Sequence, residues 1–121
     1  MTRWLLRVVG LVVLATGLTG CATSALRQAE SAEDAHDYDL AVARYTRIVR
    51  EQPENRNAQL GLERARLRAS ATHLTQGRRL YSLGRYEDAI VELQLATELN
   101  PTSAESEREL RGARNNSHRT R

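Results

Sequence analysis

The sequence predicts an all-α fold, and three observations lead to this prediction. Strong helix formers (Ala, Leu, Glu, Arg and Gln) dominate the residues after position 21. Helix-breaking residues are scarce, because the 121 residues include only seven Gly and two Pro. The third observation is a segment that occurs twice, at 36–53 and 84–101, with apolar residues at helical spacing in both copies.

The first 20 residues predict a secretory signal peptide rather than part of the fold. Arg3 and Arg7 give the segment a positively charged start, and residues 8–18 follow as an uncharged, mostly apolar stretch. This stretch is shorter than the roughly 20 apolar residues that a membrane-spanning helix needs. We therefore assign residues 1–20 to targeting and begin the mature chain at Cys21.

The end of this segment, Leu18-Thr19-Gly20-Cys21, resembles the bacterial lipobox, in which a Leu and two small residues precede a Cys. The resemblance implies that Cys21 is lipidated and becomes the first residue after cleavage. Several acyl chains hold a protein on a membrane far more firmly than one chain does. Residue 22 is Ala rather than the Asp common in inner-membrane lipoproteins, which favours the periplasmic face of the outer membrane. The alternative is an incidental Cys behind an ordinary signal peptide or a short membrane anchor.

The repeated segment is similar to the second half of a tetratricopeptide repeat (TPR). Each copy has a Tyr after a turn, a small residue where two helices would cross closely, a larger residue one turn later, and a Pro that ends the helix. The small residue, the larger one and a third lie at i, i+4 and i+7, which makes one stripe of a helix. The matched pairs are Tyr38 with Tyr86, Ala41 with Ala89, Val42 with Ile90, Tyr45 with Leu93, Ile48 with Ala96, and Pro53 with Pro101.

The second copy matches the TPR pattern better than the first. Gly77 and Leu80 occupy the positions of the small and packing residues in the family's first helix, and Gly84 supplies a permissive backbone at the turn. In the first copy the turn residue is His36, and the preceding helix is rich in Ala. Tyr86 follows Tyr38 by 48 residues, rather than the 34 of a plain TPR, so an extra segment separates the copies.

The predicted organisation is a TPR-like helical-hairpin solenoid with a long central helix. No Pro occurs at 55–83, and an apolar residue recurs every seven positions there, which predicts one long helix or two nearly collinear ones. These heptad positions are Leu60, Leu67, Leu74 and Tyr81. The predicted segments are a signal peptide at 1–20, a helical domain at 21–114 (repeats at about 22–55 and 70–103, a linking helix at 55–69, a capping helix at 102–114), and a disordered tail at 115–121.

Composition and spacing argue against catalysis and against nucleic-acid binding. The three His, at 36, 73 and 118, fall in a turn, a helix and the tail, and no pattern pairs a nucleophile with a base. With one Cys and no His cluster, we expect neither a metal site nor a cofactor. The mature chain is nearly neutral and has no basic block of the kind that contacts phosphates.

The resemblance implies a protein that binds other proteins. TPR proteins hold a peptide or a helix on a concave surface lined by the first helix of each repeat, and the candidates there are Gln76, Arg79, Tyr81 and Arg85. Three Arg on one side of the long helix form either a site for an acidic partner or lipid headgroups, or an ordinary solvated face; they are Arg64, Arg68 and Arg79, with Arg78 and Arg85 nearby.

The predicted function is that of a membrane-tethered TPR scaffold in the bacterial cell envelope, with secretion and type IV pilus assembly as candidate processes. The layout resembles the N-terminal region of TPR-bearing secretins and of the lipoproteins that assist pilus assembly. Three alternatives remain open: a homo-oligomer paired through Leu60, Leu67 and Leu74, a truncated N-terminal part of a secretin-like protein, and an accessory of a peptidoglycan enzyme.

Overall fold

The structure, a computed structural model, describes residue 21 and residues 23–120, and all regular secondary structure in this part is α-helical. The all-α prediction is confirmed at this level. The predicted signal peptide at 1–20 lies outside the described residues. The helices are α1 at 23–34 (residue 21 is also helical), α2 at Tyr38–Glu51, α3 at Arg56–Ser82, α4 at Tyr86–Leu99 and α5 at Ala104–Arg119.

The chain divides into two compact units, Met1–Leu62 and Glu63–Arg121. In the first unit, α1 and α2 form a helical hairpin that the start of α3 follows. In the second unit, the rest of α3 forms a hairpin with α4, and α5 follows. Helix α3 runs without a break through 69–70, where the sequence analysis ended a linking helix and began the second repeat.

The two hairpins turn in the same way. In each turn one residue has a positive φ, 61° at His36 and 74° at Gly84. The next residue donates its N–H to a carbonyl five positions back, and the positive-φ residue donates to one three positions back, which is a Schellman motif. These bonds, all 3.0 Å long, join Asp37 to Ala32 and His36 to Glu33 in the first unit, and Arg85 to Leu80 and Gly84 to Tyr81 in the second.

The repeat extends beyond the segments recognised in the sequence. Gln52 and Asn100, which end α2 and α4, share a φ of −136° and have ψ of 76° and 82°. A polar side chain then caps each following helix: Asn55 accepts from the N–H of Ala58 at 3.1 Å, and Ser103 accepts from that of Ser106 at 3.2 Å. Residues 31–58 and 79–106 therefore follow the same backbone course, and α5 corresponds to the start of α3.

The first unit packs its small side chains around one ring. Tyr45, 1% exposed, is the largest fully buried residue there, and its hydroxyl donates to the Glu33 carboxylate at 3.1 Å. A Cβ added at Gly61 would lie 2.5 Å from Tyr45 Cζ, so the ring lies directly over a residue without a side chain. The other buried apolar residues of this unit are Ala29, Ala32, Ala41, Ile48 and Ala58.

The second unit has the larger apolar core. A Cβ added at Gly77 would lie 2.6 Å from Leu93 Cγ, so α3 and α4 approach closely at this point. Ser70 adds a polar link between the same helices, because its hydroxyl donates to the carbonyl oxygen of Ala96 at 2.7 Å. The core consists of Leu74, Leu80, Ala89, Leu93, Ala96, Leu110 and Ala113, with Tyr81 and Ile90 packed against it.

The prediction of a disordered tail at 115–121 is wrong for residues 115–119, because α5 continues to Arg119. Side chains beyond position 114 contact the rest of the second unit: Asn116 donates from Nδ2 to the Tyr81 hydroxyl. The buried Ser117 donates to the Glu87 carboxylate at 2.5 Å. The prediction rested on the polar composition of the tail, which does not reveal that these polar side chains contact residues distant in sequence.

Replacing Gly77 with Ala should destabilise the protein, even though Ala is the better helix former by about 1 kcal/mol. The new methyl group would overlap the buried Leu93 side chain, and overpacking of this kind costs about 1–3 kcal/mol. We expect a net loss of about 1 kcal/mol or more in the free energy of unfolding, measured by urea denaturation followed by circular dichroism.

Gly112→Ala is the matched control, since Gly112 also lies in a helix but a Cβ there would meet nothing within 4 Å. This variant should gain up to about 1 kcal/mol. If both variants shift stability in the same direction, the close approach of α3 and α4 at Gly77 is not the constraint that the structure indicates.

Candidate functional site

The predicted repeat positions take up equivalent places in the two units. Ala41 and Ala89 are fully buried, and Tyr38 and Tyr86 begin α2 and α4 with half-buried rings. The remaining positions fall at helix contacts (Tyr45 and Gly77) and in turns (Gly84, Pro53 and Pro101). These residues shape the hairpins, and the two prolines are exposed after the helices that they follow.

The four predicted partner-binding residues do not share one environment. Gln76 and Arg79 are exposed and lie three residues apart on α3, so they share a helix face. Arg85 lies before α4 and pairs with Asp88 at 2.7 Å. Tyr81 is half-buried and packs edge-on against Tyr86, with the ring centroids 5.3 Å apart.

Tyr81 makes contacts within the second unit, unlike the exposed residues of the predicted binding surface. Its ring packs against the core of the second unit, and its hydroxyl accepts a hydrogen bond from Asn116 of α5. The capping helix was predicted to end at 114, which would leave Tyr81 uncovered. Gln76, Arg79 and Arg85 are the exposed part of the predicted surface, and Arg85 is paired with Asp88.

A histidine and a carboxylate meet beside Gln76, which the sequence analysis did not anticipate. His73 Nδ1 of α3 lies 2.7 Å from Glu92 Oε2 of α4, and the two side chains are mostly buried. They line a shallow depression together with Ala71, Thr72, Thr75 and Gln76. A spacing of 19 residues between helices has no local sequence signature, so only the packing of α3 on α4 reveals the pair.

Arg78, which lies near the predicted basic face of α3, is bound to two carboxylates of α5. Its Nη2 lies 2.5 Å from Glu105 Oε1 and 3.0 Å from Glu109 Oε1, and its Nε donates to the latter oxygen at 3.1 Å. The hydrogen bond from Arg78, and then its positive charge, lower the pKa of Glu105. This arginine ties α3 to α5 and so is engaged within the protein.

Cys21 is exposed and lies close to the first hairpin. It borders a shallow depression formed by α1 and α2, in which the apolar floor is made by Ala25 and Ile48 and the rim is polar. Arg44 on this rim donates to the carbonyl oxygen of Gln28 at 2.7 Å, which ties α2 to α1. The other rim residues are Ser24, Arg47 and Glu51.

Only part of the pairing surface predicted on α3 is exposed. Leu60 and Leu67 are exposed, but Leu74 belongs to the core of the second unit. A seam through all three leucines would therefore require the second unit to open. Other large apolar side chains in the described part are exposed as well: Leu40, Leu83, Val91 and Leu95.

Comparison with known proteins finds no protein-family model and no curated protein that matches the chain. In the part of the chain that the structure describes, none of the helices combines the length and the apolar character needed to cross a membrane. The class of protein is therefore assigned from the described residues alone: it is an all-α protein built around a helical hairpin that occurs twice.

Replacing Glu105 with Gln should lower stability at neutral pH and leave it unchanged in acid. Because the folded protein holds the pKa of Glu105 below its ordinary value, the ionised form stabilises the fold above that ordinary value. This contribution disappears as the pH falls through the lowered pKa. Urea denaturation of wild type and Glu105→Gln should show a small difference at pH 7 that vanishes near pH 2.

Glu107→Gln provides the control, because Glu107 pairs only at 3.4 Å with Arg111 of its own helix, and both side chains are at least half exposed. It should change stability little at either pH. A Glu105→Gln difference that persists unchanged in acid would rule out the ion pair with Arg78 as its source.

Proposed function

We propose that this protein is a lipid-anchored scaffold of the bacterial cell envelope, with helical hairpins of the TPR type that hold a protein partner. The observation that carries the proposal is the lipobox-like sequence Leu18-Thr19-Gly20-Cys21, followed at once by a folded helical domain. The exposed thiol of Cys21 is accessible for lipid attachment. Residue 21 is itself helical, so a lipid attached to it would place the fold directly at the membrane.

The hairpin contacts support the TPR assignment in the second unit. In that family a small residue on the first helix permits close approach of the second, and here Gly77 faces the buried Leu93. Ala89 is fully buried one turn earlier on α4, and Gly84 has the positive φ that the turn needs. The 48-residue offset departs from a plain TPR and reflects the length of α3, which has 27 residues.

The surface for a partner is the exposed face of α3 that carries Gln76 and Arg79. The shallow depression at His73 and Glu92 adjoins Gln76 and offers hydrogen-bonding groups beside apolar methyl groups. Such a surface recognises a peptide or a helix through side-chain contacts rather than by chemistry on a substrate. The proposed location is the periplasmic face of the outer membrane, as Ala22 favours, with secretion or pilus assembly as the process served.

The anchor is tested by expressing the full chain with a C-terminal tag in a bacterium with two membranes. The wild type should be cleaved before Cys21, gain the mass of its acyl chains and fractionate with the outer membrane. Cys21→Ser should do none of these. Intact-mass spectrometry and density-gradient separation provide the measurements.

Ser24→Ala serves as the control, since Ser24 is an exposed neighbour of Cys21 that the lipid chemistry does not involve. It should behave as the wild type does. An unmodified wild-type chain in the soluble fraction would refute the anchor.

The partner surface is tested separately with a photoreactive amino acid in place of Arg79, introduced into the anchored protein in living cells. A partner held against α3 should give one adduct of defined mass. The same amino acid in place of Arg47, an exposed residue of α2, should not give that adduct. Identical adducts at both positions, or none at position 79, would exclude this face of α3 as the binding surface.

A further inference from the structure

Helices α2 and α4 are equivalent in the repeat, but their exposed faces differ in chemistry. At three equivalent positions α2 carries Ala43, Arg47 and Glu51, whereas α4 carries Val91, Leu95 and Leu99. These positions are four residues apart and lie on one helix face. Val91 is 57% and Leu95 37% exposed, so the α4 stripe (Val91, Leu95 and Leu99) places apolar surface in solvent where the first unit has an ion pair.

The surroundings of the α4 stripe are acidic. Helix α4 has four acidic residues and no basic one. Glu87 and Asp88 suit the first turn of a helix, and Glu92 faces His73. Glu98 is different, because it lies exposed in the last turn, where a negative charge opposes the helix dipole. Helix stability does not explain Glu98, but a basic partner against this face would.

The complementary surface occurs on the same protein. On α3, Leu67 is 54% exposed, and the six residues from Glu63 to Arg68 include three Arg and one Glu. Arg64, three residues before Leu67, and Glu63, four before it, share its helix face, and Arg68 follows it directly; all three are exposed. We call Leu67, Glu63, Arg64 and Arg68 the Leu67 face: an apolar side chain whose charged neighbours carry a net charge of one positive unit.

We propose that a second copy of this chain docks its Leu67 face onto the α4 stripe. Leu67 would lie against Val91 and Leu95, and the arginines beside it would approach Glu98. The charges select this pairing, since two α4 stripes facing each other would bring only acidic side chains together. The proposal builds on the proposed scaffold function and names the partner of α4 as the protein itself.

Such an interface joins two different surfaces, so a pair of molecules keeps one unused surface of each kind. Contacts of this type build rings or open chains rather than closed pairs. Anchoring in one membrane would raise the effective concentration of the copies, so a modest affinity suffices. The interface differs from the Gln76 and Arg79 surface proposed for another protein, and both surfaces can be used at once.

The test is native mass spectrometry of the full-length chain, purified in a mild detergent, over a range of protein concentrations. The wild type should show several copies per particle, increasing with concentration. Leu95→Arg places in α4 the residue that α2 carries at the equivalent position 47, so the helix should tolerate it. This variant and Leu67→Glu should each associate at least about tenfold more weakly and remain single copies.

An equimolar mixture of the two variants provides the decisive result. Leu95→Arg retains an intact Leu67 face, and Leu67→Glu retains an intact α4 stripe, so the mixture should form one-to-one pairs, or multiples of such pairs, that neither variant forms alone. Leu40→Arg, at a residue with 39% exposure on α2, is the matched control and should assemble as the wild type does. Circular dichroism checks that each variant is folded.

Three outcomes would overturn the proposal: a wild type that stays a single copy at all concentrations, a Leu95→Arg variant that assembles as the wild type does, and a mixture that forms no pairs. The same spectra report the mass at Cys21. A failure of the lipid anchor would therefore appear as missing acyl mass, independently of the number of copies.

Discussion

The fold depends on the close approach of a glycine on α3 to one large side chain in each unit. Tyr45 of α2 lies over Gly61, and Leu93 of α4 lies over Gly77. Because no side chain stands at these two positions of α3, the neighbouring helix axes can approach until the larger residue is fully buried. The small residues around these points, such as Ala41 and Ala89, follow from the same requirement, since bulk there would separate the helices again.

The two hairpins share this close helix contact but differ in the polar side chains that accompany it. In the first unit the tyrosine is on α2, and its hydroxyl donates to the buried Glu33 of α1. In the second unit Leu93 replaces that tyrosine, and the position of Glu33 is taken by Tyr81, whose hydroxyl accepts from Asn116. Each arrangement satisfies a hydroxyl near the core, as burial of a polar group requires. The backbone course is thus kept while the side chains that stabilise it change.

Sequence periodicity was sufficient to predict which residues of the hairpins are buried. The stripes Ala41-Tyr45-Ile48 and Ala89-Leu93-Ala96 are all buried, because spacings of four and three residues keep side chains on one helix face. The turns were equally readable, since a Schellman motif needs one residue at positive φ and both His36 and Gly84 occupy that position.

Periodicity did not reveal which helix face is covered by a neighbour. The seven-residue spacing of Leu60, Leu67 and Leu74 defines one line along α3, but only Leu74 lies within a core. For the same reason, neither the contact of Tyr81 with α5 nor the helical end of α5 was predicted. Those contacts are made by polar side chains distant in sequence, for which no local pattern exists.

The two units differ most in the solvent-facing side chains of α2 and α4, which the packing of the hairpins does not constrain. The exposed side of α2 has Arg44, Arg47 and Arg50, and the equivalent positions of α4 have Glu92, Leu95 and Glu98. A lipid on Cys21 would hold the first unit against the membrane, since residue 21 is itself helical and the first hairpin follows it directly. Arg44 and Arg47, which border the same depression as Cys21, would then meet anionic headgroups. The acidic side chains of α4 would be repelled by anionic headgroups, and its exposed apolar side chains suit contact with protein instead.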